Sequence, residues 1–481
     1  MSKNNLSEQI SLQNRKNKAV AEFINLASDL WYENSIELIL FRHQIVNRGI
    51  TEILNLLDYT RRFVEKPIDI LEVLAMTKDL KKLQLPMSRL DIGKLTYEFL
   101  MEQNNETRQE FITRKLKGIE NAPQAKAKDV ILYGFGRIGR LIARELVTRT
   151  GNGDQLLLRA IVVRGELTEE NLQKRASLLR NDSVHGQFPG TVVVDTKNKS
   201  LIINGLTIKL INASSPDSVD YTKYEINDAI LIDNTGVWRD EKGLSTHLKS
   251  KGVEKVILTA PGKGSVPNIV YGVNHLDFSP DEHKIYSAAS CTTNAITPVL
   301  KVIHSVFGIK QGHIETIHSY TNDQNLVDNY HKKYRRGRAA AINMVITETG
   351  AGKAVSKAIP ELSGKLTSNA IRVPVPNGSL AILNLKLSQQ TDLQEINREV
   401  KKACLDGELV EQILYSVNNE LVSSDIVGQS AASIYDSNAT IVSEDGRNVL
   451  LYVWYDNEFG YVNQVIRIAK YVGKVRRYHY Y

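Results

Sequence analysis

The stretch Asp129-Val-Ile-Leu-Tyr-Gly-Phe-Gly-Arg-Ile-Gly-Arg140 decides the fold. Residues 129–133 form an apolar run of strand length that leads directly into Gly134, Gly136 and Gly139, and a helical pattern covers 140–149. A GxGxxG pattern alone is weak, but between a strand and a helix it has a physical meaning. Gly134 permits the tight turn, Gly136 lets the backbone approach a pyrophosphate, and Gly139 allows close helix packing. The helix N-terminus then turns its partial positive charge toward the phosphates. Arg137 and Ile138, at that helix start, join the three glycines as cofactor-binding candidates. Strand-like runs at 158–163, 191–194, 229–233 and 255–259 follow, and their alternation with other segments implies an open parallel sheet.

Upstream the pattern differs. Residues 1–122 read as a helical extension: Val20, Phe23, Ile24, Ala27 and Leu30 recur at three-to-four spacing, as do Ile50, Ile53, Leu54 and Leu57. Ser88-Arg-Leu-Asp91 has the form of a helix-start capping box. Residues 121–128 are the expected linker. The extension offers no catalytic constellation, and its His43 reads as a core or surface residue.

A chain of 481 residues has room for about three domains. Hydrophobic content of 42% and charged content of 24% are those of a globular protein. No apolar run approaches the roughly 20 residues that cross a bilayer. The N-terminus is polar and does not read as a secretory signal. Two cysteines cannot make a disulfide framework, which fits a cytoplasmic location. The net charge of +7 is spread thinly and does not by itself indicate nucleic-acid binding.

Ser287-Ala-Ala-Ser-Cys-Thr-Thr-Asn294 and the downstream His318 carry the chemistry. A thiol attacks a carbonyl as thiolate, and an imidazole within reach can hold the thiolate and move its proton. Spacing alone does not bring Cys291 to His318, and a lone cysteine is ordinarily a small buried hydrophobe. The surrounding wording changes that. SAASCTTNAITPVLKVIH, IETIHSYTNDQ, LYGFGRIGRL, TETGAGKAVSKAIPELSGKLTSNAIRVPVPN and WYDNEFGY closely resemble phosphorylating glyceraldehyde-3-phosphate dehydrogenase, in the family's order, over roughly 128–475. The first 125 or so residues are not covered by the resemblance.

The resemblance implies an α/β architecture: a Rossmann-type parallel sheet over 126–290 completed by 457–481, and an α+β catalytic domain with a mixed sheet over 291–456. An all-α extension would precede both. It also implies that Cys291 is the nucleophile and His318 the base. Thr321 and Arg372 match the family's substrate-phosphate site. Ser290, Thr292, Thr349 and Gly350 match the site of the attacking inorganic phosphate, with Arg336 a further candidate. The basic run 332–338 then reads as a loop beside cofactor and phosphates. Thr235, Thr259 and Asn457 match cofactor-lining positions, Asn457 as a clamp on the nicotinamide carboxamide. No metal site is expected, and a homotetramer is. The related aldehyde erythrose 4-phosphate is an alternative substrate. A regulatory or scaffolding role exercised through 1–122 is an alternative of another class.

Two positions depart from the family pattern. Val163 stands where an aspartate that binds the adenosine ribose is expected, and Arg164 follows. A carboxylate there would repel a 2′-phosphate, whereas a guanidinium could pair with it, so NADP use is expected, alone or alongside NAD. Ala295 replaces a cysteine found in many relatives, so a disulfide there with Cys291 is impossible. Cys404 reads as structural.

Overall fold

The computed structural model describes residues 3–60, 67–102, 104–121 and 126–481. Residues 122–125 of the expected linker lie outside them. The chain divides into two units: Met1–Lys126 with Thr150–Gln155 and Val475–Tyr481, and Ala127–Arg149 with Leu156–Lys474.

In the first unit the expected helices form at Lys3–Asn34, Ile50–Thr60, Ile70–Lys82, Ile92–Glu102 and Arg108–Lys115. Two begin with reciprocal capping boxes, Asp69 with Glu72 and Thr107 with Glu110, which satisfy backbone donors left over at a helix start. Phe23, Leu30, Val73, Leu80 and Leu95 meet in one core. This unit is not all-α, however. Ile36–Leu40, Ser88–Asp91 and the C-terminal Tyr478–Tyr480 lie parallel in a small sheet, with His43–Gln44 antiparallel at its edge. Ser88–Asp91 is therefore a strand rather than a helix start. The cap is Asp91, whose carboxylate accepts from the Lys94 amide (3.0 Å) and from Phe41 and Arg42 (2.8 and 2.9 Å). That last pair lies in the left-handed region, φ 46° and 70°, where non-glycine residues need such support. Residues 475–481, expected to finish the nucleotide-binding domain, belong to this first unit.

The second unit holds two eight-stranded sheets. The first runs in the order Ile285–Ser287, Val253–Leu258, Ala229–Asp233, Lys128–Tyr133, Leu156–Val163, Leu206–Asn212, Ser200–Ile203, Val192–Asp195. Its first six strands are parallel; the last two form an antiparallel edge hairpin, so the expected strand near 191–194 is not part of the parallel set. From Lys128–Tyr133 the chain winds to one side and later to the other. The crevice where the winding reverses, between that strand and Ala229–Asp233, is where such sheets take ligands. The second sheet is mixed, and its central strands Ile309–Ser319, Ser379–Leu387 and Asn448–Tyr455 bury alternate residues against helix Cys291–Phe307. Cys404 is buried in that core.

Candidate active site

A strand-to-helix turn presents the thiol. After Ile285–Ser287 the chain passes through Ala289, at φ 53°, and enters helix Cys291–Phe307 with Cys291 as first residue. The left-handed turn is held at both ends: the Ala289 amide donates to Ser287 Oγ (3.0 Å), and Tyr461 Oη donates to the Ala289 carbonyl (3.1 Å). Ser290 caps the helix, its Oγ accepting from the Thr293 amide at 3.1 Å. Cys291 Sγ thus sits at a helix N-terminus, where partial positive charge favours a thiolate.

His318 comes from the end of strand Ile309–Ser319, and its Nε2 is 3.5 Å from Cys291 Sγ. Arg372 is its register partner on the neighbouring parallel strand Leu366–Val373. Arg372 Nη1 lies 2.8 Å from both His318 Nδ1 and the Ser319 carbonyl, and donates to Thr321 Oγ1 at 3.4 Å. Arg372 Nε is buried and without a partner among the described residues, which suits an anionic ligand. Burial raises the Cys291 thiol, with Arg372 opposing; burial pushes the His318 imidazole down to about 3, with Arg372 adding. Without a ligand the pair is therefore thiol and neutral imidazole.

Thr321 also donates to Asp323, whose carboxylate binds Arg336 Nη1 at 2.6 Å. Arg336 Nε donates to Thr347 Oγ1 at 3.1 Å. Arg336 thereby joins the Thr321–Arg372 cluster through Asp323, a residue the sequence reading did not single out. Thr292 turns its hydroxyl toward Tyr455 (3.0 Å), which also meets Thr316 (2.7 Å). Thr349 and Gly350 head the helix Ala351–Ala358; Thr349 Oγ1 accepts from the Ala351 amide, and Gly350 supplies no side-chain cap.

The glycine loop has the form its spacing predicts. Gly134 adopts φ 95°, and a Cβ on Gly139 would fall 2.4 Å from the Gly134 carbonyl oxygen. A Cβ on Gly136 would meet nothing within 4 Å, so the helix N-cap opens onto space. Helix Arg137–Thr148 starts there. The Arg137 side chain binds Asp182 through two nitrogens (2.9 and 3.0 Å) and pairs with Glu458, while Ile138 is half-buried. Thr235 and Thr259 stand beyond the ends of the adjoining strands, donating to the Asp233 carboxylate (2.7 Å) and carbonyl (3.0 Å) respectively. Asn457 is buried, and its Oδ1 accepts from Ser379 Oγ (2.8 Å), which in turn accepts from the Ser319 amide (3.1 Å). That relay fixes the Asn457 amide next to the residue that follows the base. Val163 is buried and Arg164 exposed.

A strand–glycine loop–helix at a sheet's switch point, in the same unit as a cysteine–histidine pair, is the architecture of a nicotinamide-dependent oxidoreductase. Family models agree: glyceraldehyde 3-phosphate dehydrogenase, NAD binding domain, matches 128–241, and its C-terminal domain matches 290–457. The chain belongs to the glyceraldehyde-3-phosphate dehydrogenase family. It is 48% identical to a "glyceraldehyde-3-phosphate dehydrogenase-like protein" of Pseudomonas aeruginosa over 93% of this chain and 97% of the relative. It is 41% identical to "glyceraldehyde-3-phosphate dehydrogenase 1" of Bacillus subtilis over 72% of this chain and 99% of the relative. The first alignment extends into the N-terminal unit. The chain is thus a family oxidoreductase with a nicotinamide-binding domain. Among the described residues no helix is long and apolar enough to cross a membrane.

Proposed function

We propose that this protein oxidises glyceraldehyde 3-phosphate and captures the product with inorganic phosphate, giving 1,3-bisphosphoglycerate. The observation that carries the reading is the contact of Cys291 and His318 beside Arg372 and Thr321. Cys291 adds to the aldehyde carbon as His318 Nε2 takes the thiol proton and returns it to the carbonyl oxygen, giving a hemithioacetal. The glycine loop and Asn457 would hold a nicotinamide, which when bound would supply the acceptor for the hydride that leaves the hemithioacetal carbon. His318 removes the hydroxyl proton in that step, and the carbon becomes a thioester on Cys291. The Cys291 amide and the imidazole are the donors available to the developing oxyanion. Phosphate oxygen then attacks the thioester carbon, the C–S bond breaks, and the thiolate is protonated from His318.

Arg372 and Thr321 hold the substrate phosphate in this scheme. Ser290, Thr292, Thr349 and Gly350, with Arg336, serve the attacking phosphate; Thr349 and Gly350 stand at the N-terminus of helix Ala351–Ala358, where partial positive charge favours an anion. The homotetramer expected from the resemblance has support in the segment around 326–344, where Leu326, Tyr330, Tyr334, Ile342 and Met344 are 77–94% exposed, apolar surface of a kind that subunit contact covers. NADP use, alone or beside NAD, is supported by the exposed Arg164 following Val163.

The deciding experiment is reduction of NAD and NADP, in parallel, by glyceraldehyde 3-phosphate with and without inorganic phosphate. Phosphate-dependent turnover that Cys291→Ser abolishes is the expected result. Turnover indifferent to phosphate, or faster with erythrose 4-phosphate, would overturn it.

A further inference from the structure

Asn457 stands between two carboxylates that are tied in opposite directions. Asp456, before it, is 1% exposed, and its carboxylate accepts from Asn377 Nδ2 and the Gly428 amide, both at 2.8 Å. It also accepts from the amides of Glu458 (2.9 Å) and Phe459 (2.8 Å), where helix Phe459–Val472 begins. Glu458, after it, reaches the other way. Its Oε1 accepts from Arg137, the first residue of the glycine-loop helix, and its Oε2 from His185 Nε2 at 3.0 Å.

The two partners of Glu458 are themselves joined. Asp182 takes both terminal nitrogens of Arg137, and its Oδ1 accepts from the Val184 and His185 amides, each at 2.9 Å. Arg144, on the same helix as Arg137, donates to the carbonyls of Leu179, Arg180 and Gly186. The loop that carries Asp182 and His185 is thus fastened to the glycine-loop helix on both of its flanks. Burial pushes the Glu458 carboxyl up, but the hydrogen bonds from His185 and Arg137 outweigh it and hold the group below the usual range. A buried ion pair is a weak source of stability, because desolvation offsets its attraction. What this one supplies is a fixed distance. The pyrophosphate of a dinucleotide lies at the start of the glycine-loop helix, and Asn457 faces the nicotinamide end.

We propose that Glu458 is a positioning residue: held by Arg137 and His185, it sets the separation between the glycine-loop helix and Asn457, so that a nicotinamide dinucleotide is gripped at both ends in register. This rests on the nicotinamide-cofactor reading, with Asn457 as the carboxamide clamp. It adds Glu458, Asp182 and His185, which act through Asn457 and not on the cofactor. Geometry of this kind is held by the residues behind the contact, and a small displacement there is felt at the contact.

The test is calorimetric titration of the full chain with NAD and ADP-ribose, and with NADP and 2′-phospho-ADP-ribose; each pair differs only in the nicotinamide. Glu458→Asp keeps the charge and shortens the reach by one methylene, while Glu458→Gln keeps the reach and drops the charge. Glu458→Asp is expected to weaken the dinucleotide about five- to tenfold, what one hydrogen bond supplies, and to leave its nicotinamide-free partner unchanged. Glu458→Gln should stay close to the wild type. Equal weakening of both ligands in Glu458→Asp would reduce Glu458 to a support of the glycine loop and overturn the proposal. So would an unchanged dinucleotide affinity in Glu458→Asp, or a loss in Glu458→Gln as large as in Glu458→Asp. Asn457→Ala separates the proposal from the reading beneath it, and should weaken the dinucleotide alone. If it does and Glu458→Asp does not, the positioning role fails and the clamp stands; if Asn457→Ala changes neither ligand, the clamp fails and the positioning role with it.

Discussion

Arg372 Nη1 lies 2.8 Å from His318 Nδ1. With its proton on Nδ1, His318 donates to the Ser319 carbonyl (2.7 Å) and presents Nε2 as acceptor to Cys291. With the proton on Nε2, Nδ1 accepts from Arg372 and Nε2–H faces the sulfur. The Ser319 carbonyl favours the first tautomer and the Arg372 donor the second, and the Arg372 charge disfavours the imidazolium. Cys291→Ser is expected to abolish thioester chemistry, and His318→Asn to lower kcat by about 10²–10⁴, the range general base catalysis supplies. Rapid-quench detection of acyl-enzyme checks both; acyl-enzyme in the serine variant would contradict the assignment.

Removing the cation at Arg372 has two separable effects. Arg372→Met deletes a group that depresses His318, so the acid limb of kcat/KM should move to higher pH. It also deletes the phosphate partner, raising KM for the phosphorylated aldehyde about 10–100-fold. A pH profile on glyceraldehyde without its phosphate isolates the first effect. An acid limb that stays in place there would show that Arg372 does not tune the base.

Tyr455 Oη bridges Thr292 and Thr316 in a fully buried position. Burial raises its hydroxyl well above the ordinary tyrosine value, so it stays a neutral donor through the working range. Tyr455→Phe leaves two buried threonine hydroxyls short of a partner and should cost about 1–3 kcal/mol in denaturant unfolding. Loss of kcat beyond tenfold in the folded variant would mean that the tyrosine takes part in the chemistry itself.

His43 and His318 are both kept neutral by burial, at about 4 and about 3. In the unfolded chain each titrates near 6.5. Below that value the unfolded state takes up protons that the folded state refuses, so stability is fully present above pH 6.5 and declines as pH falls toward each folded value. The slope reaches about 1.4 kcal/mol per pH unit for each histidine. Urea midpoints at pH 7.5 and 5.5 should converge in His43→Gln for the N-terminal unit. An undiminished pH gap would assign the acid sensitivity elsewhere.

Much of this was legible in advance because local sequence carries it. The glycine loop follows from backbone sterics at Gly134 and Gly139, and the helices of the extension from apolar residues at three-to-four spacing, Val20 to Leu30 and Ile50 to Leu57. What was not legible depends on partners distant in sequence. Ser88–Asp91 reads as a helix start until Ile36–Ile39 and Tyr478–Tyr480 pair with it, and a buried parallel strand lacks the alternation that marks an edge or half-exposed one. Asp323, Asp182 and Glu458 are ordinary acids in the sequence. Only folding brings them to Arg336 and Arg137. The one available signal was the position of Glu458 beside Asn457.

The C-terminal residues make the N-terminal unit more than an appendage. Arg477 is 5% exposed; its Nη1 reaches Glu37 and its Nη2 Asp154, each at 3.3 Å, and its guanidinium stacks 4.3 Å above the Trp31 ring. Three segments far apart in sequence, the extension, the 150–155 loop and the tail, thus share one buried cation. Removing it takes the cation from Asp154 and leaves Glu37 to Arg89, at 3.3 Å; breaking a buried pair costs about 3–5 kcal/mol, an upper bound here because Glu37 keeps a partner. Arg477→Met should therefore leave the glycine-loop sheet intact while hydrogen exchange quickens in 36–40 and 88–91. Ending the chain after Lys474 should do the same more strongly, because the Tyr478–Tyr480 strand goes with it. Equal protection of those two strands in wild type and truncated protein would mean that the extension folds without its tail, and would restore the picture of a separable N-terminal module.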